Sequence, residues 1–132
     1  MGTLVVGWIA KPEGEAALER ALAEARLRGS SLVVVSSHRG GSEYDQSAVD
    51  SAERELDGVR ARLEEAGVEF TLRQLVRGLD PAEDLLAVAQ EHDAELIVIG
   101  LRRRSPVGKL ILGSNAQRIL LDAPCPVLAV KA

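Results

Sequence analysis

Residues 100–120, GLRRRSPVGKLILGSNAQRIL, gather the side chains best suited to holding an anion: three glycines, three consecutive arginines and a lysine. The stretch follows an apolar, strand-like run and leads into a helix-like one. Gly113, Ser114 and Asn115 stand where that helix should begin. A helix N-terminus presents unpaired backbone amides and a partial positive charge, so phosphates and carboxylates bind there. Gly113 would let a phosphate approach the backbone closely, and Ser114 could cap the helix or donate its hydroxyl. Arg102, Arg103, Arg104 and Lys109 add positive charge nearby.

The common phosphate-loop patterns do not match. A Walker A loop requires G-x-x-x-x-G-K-[ST]. Gly108-Lys109 is present, but Arg103 occupies the first glycine position and Leu110 the Ser/Thr position. No G-x-G-x-x-G follows any strand-like run. A solvated surface connection is the plain alternative for the arginines. A backbone-geometry role is the plain alternative for Gly113.

The elements that must position this loop are legible along the chain. Residues 3–8 (TLVVGW) and 31–37 (SLVVVSS) read as buried strands, and 94–100 (AELIVIG) as the most hydrophobic one. Residues 69–76 (EFTLRQLV) alternate more and predict a strand nearer the sheet edge. The chain closes on APCPVLAVKA, a fifth strand. Between them lie amphipathic spacings. Leu18, Ala21, Leu22 and Ala25 form one face, stopped by Gly29. Val49, Ala52, Leu56, Val59, Leu63 and Ala66 recur at steps of three and four and end at Gly67. Asp80-Pro81 reads as N-cap and first helical residue before Ala82, Leu85, Leu86 and Ala89. Ala116, Ile119, Leu120 and Ala123 mark the last helix. The order β-α-β-α-β-α-β-α-β implies a doubly wound parallel sheet with right-handed crossovers, an α/β fold with helices on both faces. Ligands of such sheets bind outside the strand carboxyl ends, where the strand order reverses.

The chain has 132 residues, a length suited to one domain spanning 1–132. Aromatics are 2% of the residues and the net charge is -4, which argues against a nucleic-acid partner. The single cysteine, Cys125, excludes an internal disulfide framework and suits a reducing compartment. No signal-peptide pattern precedes the first strand, and no apolar run approaches the ~20 residues of a membrane span. The expectation is a soluble, cytoplasmic protein with no membrane partner. Two separated histidines and one cysteine do not make a metal site. His38 reads as part of a polar loop, His92 as a residue at a helix C-terminus, and Cys125 as a small packing residue.

One pattern does fit the loop. Gly100, two residues, Arg103, nine residues, then Gly113-Ser114 resembles the nucleotide-binding signature of the universal stress protein family. The stretch VRGLDPAEDLLAVAQEHDAELIVIGLRRRSPVGKLILGS and the ending LLDAPCPVLAVK are also similar to that family. The resemblance implies a Rossmann-like five-stranded sheet of order 3-2-1-4-5. It further implies adenine nucleotide binding (ATP, ADP or AMP), a homodimer formed through the C-terminal strand, and a regulatory stress-response role without rapid turnover. Carried over residue by residue, Gly100, Arg102, Arg103, Gly113, Ser114 and Asn115 are the nucleotide-binding candidates. Trp8, Ile9, Ala10 and Ser36, at the ends of the first two strands, would line the base pocket. No catalytic residue is assigned.

Two positions depart from the pattern. Arg103 stands where the motif has its second glycine. Ile9 stands where nucleotide-binding members carry an Asp. Losing one hydrogen bond to a charged acceptor costs about 1.5–3 kcal/mol, roughly ten- to a hundredfold in affinity. A nucleotide-free member acting as a dimeric interaction module therefore stays open as the alternative. An adenylyl-transferring enzyme on a related fold would need a Gly/Ser-rich loop after the first strand, and IAKPEGE is not one.

Overall fold

A computed structural model describes residues 2–38, 46–76, 80–101 and 112–132. In chain order the elements are β1 (Thr3–Gly7), α1 (Pro12–Arg28), β2 (Ser31–His38), α2 (Gln46–Ala66), β3 (Phe70–Val76), α3 (Pro81–Glu91), β4 (Leu96–Leu101), α4 (Ser114–Asp122) and β5 (Val127–Lys131). The sheet is parallel throughout, in the order β3-β2-β1-β4-β5. Both the Rossmann-like architecture and the two edge strands agree with the sequence reading.

Strand periodicity explains why the inner strands read as unbroken hydrophobic runs. Successive side chains point to opposite faces, and both faces are covered. Leu4, Val6, Leu32, Val34, Leu96 and Val98 enter a core with Ala17, Leu18, Ala21, Leu56, Val59 and Leu63 of α1 and α2. Val5, Val33, Val35, Ile97 and Ile99 enter a second core with Ala82, Leu85, Val88, Ala89 and Ile119 of α3 and α4. Each fully buried Leu, Ile or Val contributes about 1.5–3 kcal/mol relative to exposure.

The helix ends follow local chemistry. Gly29 closes α1 at φ 65°, and Gly67 follows α2 at φ 72°, left-handed conformations that glycine adopts without a Cβ penalty. Asp80 is the N-cap of α3 and Pro81 its first residue, as read from the sequence, although the Asp80 side chain makes no capping hydrogen bond. Three details differ from the sequence reading. β1 ends at Gly7, so Trp8 lies just past it, its amide donating to the Val35 carbonyl at 2.9 Å. β2 continues through His38, whose Cα pairs with that of Val76, so His38 belongs to the strand and not to a loop. On α4 only Ile119 is buried, and Leu120 is 40% exposed, although spacing put both on the inner face. Among the described residues no helix is long and apolar enough to cross a membrane.

Candidate functional site

β1 and β4 are neighbours in the sheet. The crossover after β1 leads to β2 on one side, and the crossover after β4 leads to β5 on the other. A crevice opens where these connections part, at the strand carboxyl ends.

Two adjoining cavities occupy it. The inner one, about 170 Å³, is walled by Trp8, Val35, Leu85, Ile99 and Ile119 and is mostly apolar. The outer one, about 440 Å³, is bordered by Lys11, Leu101, Gly113 and Ser114. Both share Ile9, Glu13, Pro81, Gly100, Asn115 and Ala116, which form the boundary between them.

The outer cavity abuts the start of α4. Gly113 is the N-cap, in extended conformation (φ -70°, ψ 165°), and its carbonyl accepts from the Gln117 amide at 3.0 Å. The helix carries no acidic residue in its first turn and no side-chain cap. Its first amides therefore have no intrahelical partner, and the positive end of its dipole is not offset by the helix's own carboxylates.

Close packing at α1 shapes the boundary. A Cβ placed on Gly14 would come to 1.9 Å from the Ile9 carbonyl oxygen, and one on Gly100 to 1.8 Å from that of Glu13. Both glycines are required for the first turn of α1 to sit against the β1–α1 connection and the end of β4. Glu13 is 9% exposed and Ile9 44% exposed. Trp8 is buried, and among the described residues its indole Nε1 has no hydrogen-bond partner.

Of the residues singled out in the sequence, Gly100, Asn115, Trp8 and Ile9 line this crevice, and Gly113 and Ser114 border its outer part. The capping position belongs to Gly113, and Ser114 is the first helical residue. Ala10 faces another cavity, beside Glu15, Glu55 and Arg62, and Ser36 is buried in β2 without lining either cavity of the crevice. Arg102 and Arg103, with Arg104 and Lys109, lie outside the described residues. Sequence reasoning did not assign Lys11, Glu13 or Pro81 to the site. The available signal was positional, since a helix following a strand in this fold starts at the ligand end of the sheet.

Away from the crevice, His92 is the C-cap of α3, as expected. Cys125 is half-buried against the α3–α4 core, and burial pushes its thiol above the ordinary range.

A profile of the universal stress protein family matches residues 1–131. The chain belongs to this family. It is 48% identical over 128 residues to a universal stress protein of Mycolicibacterium smegmatis, covering 97% of this chain and 96% of that one. A solved universal stress protein of Archaeoglobus fulgidus superposes with a TM-score of 0.86 at 39% identity, covering 99% of both chains. A universal stress protein from the same organism, solved in complex with dAMP, superposes with a TM-score of 0.80 at 32% identity, covering 99% of this chain and 98% of that one.

Proposed function

We propose that this chain is a universal stress protein domain that binds an adenine nucleotide in the β1–β4 crevice and acts as a regulator without rapid turnover. One observation carries the reading: an apolar cavity beside Trp8 adjoins a second cavity at the start of a helix with no first-turn acid. Such a pair suits a flat apolar base at one end and phosphates at the other. The Gly113 and Ser114 amides would hold the phosphates, and Arg102 and Arg103 would supply charge. The dAMP-bound relative from Archaeoglobus fulgidus supports this assignment of ligand class. ATP, ADP and AMP share the recognised base and first phosphate. The reading includes a cytoplasmic location and a homodimer paired through β5, whose edge position leaves a row of backbone groups open to a second copy.

A second reading rests on Ile9. Its partly exposed hydrocarbon sits at the boundary of the two cavities, where a bound nucleotide would be polar. On that reading the domain is a nucleotide-free dimeric interaction module. Heat-denaturing freshly purified protein and analysing the supernatant by mass spectrometry separates the two. Adenine nucleotide near one equivalent is the expected result. An empty supernatant, together with no thermal shift at millimolar ATP, would favour the module. Sedimentation equilibrium across a concentration series tests the dimer.

A further inference from the structure

Two acids occupy the first turn of α1, and the fold treats them differently. Glu15 is exposed and paired with Arg62 of α2. Glu13 is nine-tenths buried, and among the described residues it makes no side-chain hydrogen bond or ion pair. Proximity to a helix N-terminus favours a carboxylate there. Its carboxylate oxygens are not among the fully buried side-chain atoms that lack a partner, so while most of the residue is enclosed the carboxylate keeps an open side where a ligand can take the place of water.

Glu13 is also the only carboxylate among the described residues lining the crevice, and it borders both cavities. With a base in the inner cavity and phosphates at α4, that boundary is where the sugar of a nucleotide lies. Its neighbours there offer little to a sugar. Ile9, Pro81 and Ala116 have apolar side chains, Gly100 has none, and only Asn115 is polar. An ionised carboxylate accepts hydrogen bonds and donates none. A pair of adjacent hydroxyl donors complements it, and the ribose of a nucleotide supplies such a pair.

We propose that Glu13 is the sugar-reading residue of this crevice, accepting hydrogen bonds from the vicinal hydroxyls of a ribose and thereby selecting ribonucleotides over analogues that lack them. The inference rests on the adenine-nucleotide reading above and adds to it a specificity determinant. A site built to accept from hydroxyls rejects a ligand lacking them, because such a ligand covers the acceptor without pairing it.

The test is calorimetric titration of the wild type, Glu13→Gln and Glu13→Met with AMP and with dideoxy-AMP, which lacks both ribose hydroxyls. The wild type should prefer AMP by about tenfold or more. Glu13→Gln, which keeps a neutral acceptor, should show a smaller preference. Glu13→Met, of similar length with no comparable acceptor, should bind both ligands alike, near the wild-type affinity for dideoxy-AMP. Comparing the two ligands on the wild type needs no variant, and thermal unfolding checks that both variants are folded. An unchanged preference in Glu13→Met, or none in the wild type, overturns the role of Glu13 while leaving nucleotide binding intact. A wild type that binds neither ligand overturns the nucleotide reading, and this inference with it.

Discussion

The Glu13 carbonyl oxygen occupies the space that a side chain on Gly100 would need: an ideal Cβ there lies 1.8 Å away from it. The same holds one step back, where Gly14 accommodates the Ile9 carbonyl oxygen at 1.9 Å from its own would-be Cβ. These two contacts hold the start of α1 against the end of β4 and against the turn leaving β1. They bring the first turn of α1 to the boundary between the two cavities, where Glu13 lies. Gly100 therefore has a packing reason to be glycine, independent of any ligand.

Gly100→Ala is expected to destabilise the fold. The colliding atom is backbone, so no rotamer change relieves it, and α1 must shift away from β4. Overpacking of this kind costs about 1–3 kcal/mol, occasionally more. Urea unfolding should give a lower midpoint with an unchanged slope, the signature of a stability change alone. A midpoint equal to that of the wild type would mean that α1 moves at no cost.

Gly58→Ala should do the opposite. Gly58 lies inside α2, and an added Cβ meets nothing within 4 Å. Alanine there restricts the unfolded chain and favours the helix by roughly 0.5–1 kcal/mol. The same urea measurement should show a raised midpoint, and a lowered one would contradict the open environment of Gly58.

These glycines also mark what a sequence can and cannot convey. The β/α alternation was legible because inner strands buried on both faces read as apolar runs, and the helices show clean three-and-four spacing. Gly29 and Gly67 punctuated it correctly. The strand order came from family resemblance, since periodicity does not say which strands are neighbours. Gly100 looked like a ligand glycine, and a tight helix–strand contact needs the same missing side chain. Glu13 went unnoticed because a first-turn acid is normal surface chemistry for a helix. Only the docking of α1 beneath β4 buries it. Leu120 was misassigned because the short α4 buries a single position, Ile119, in its core. Ala10 and Ser36 sat close in sequence to the crevice, but one faces another cavity and the other is enclosed in the sheet.

Cys125 should be a slow thiol. Burial alone raises its pKa, and the thiolate is the reactive species. Reaction with a chromogenic disulfide at mildly alkaline pH should be several-fold slower in the native protein than in urea. Equal rates would place the sulfur in a more open environment than its packing against the α3–α4 core implies.

The last prediction concerns acid. Glu24 of α1 is flanked one turn away on each side: Arg28 Nε donates to its Oε2 at 3.2 Å, and Arg20 Nη2 to its Oε1 at 2.8 Å. The Arg28 hydrogen bond foremost, and then Arg20, hold the carboxyl below its ordinary value of 4.5. A carboxylate whose folded pKa is depressed contributes stability that is complete above the unfolded value and is lost as pH falls through the folded one. Glu24→Gln should therefore be less stable than the wild type at neutral pH. The difference should shrink as pH drops below the ordinary carboxylate range and vanish once Glu24 is protonated in the fold. Added salt should also narrow the neutral-pH difference, because the pair lies at the surface. Paired urea titrations of the two proteins from neutral pH into acid isolate Glu24 from the other carboxylates, which both proteins share. A difference that stays constant across that range would show that the glutamine acts through packing or helix propensity and not through loss of the charge.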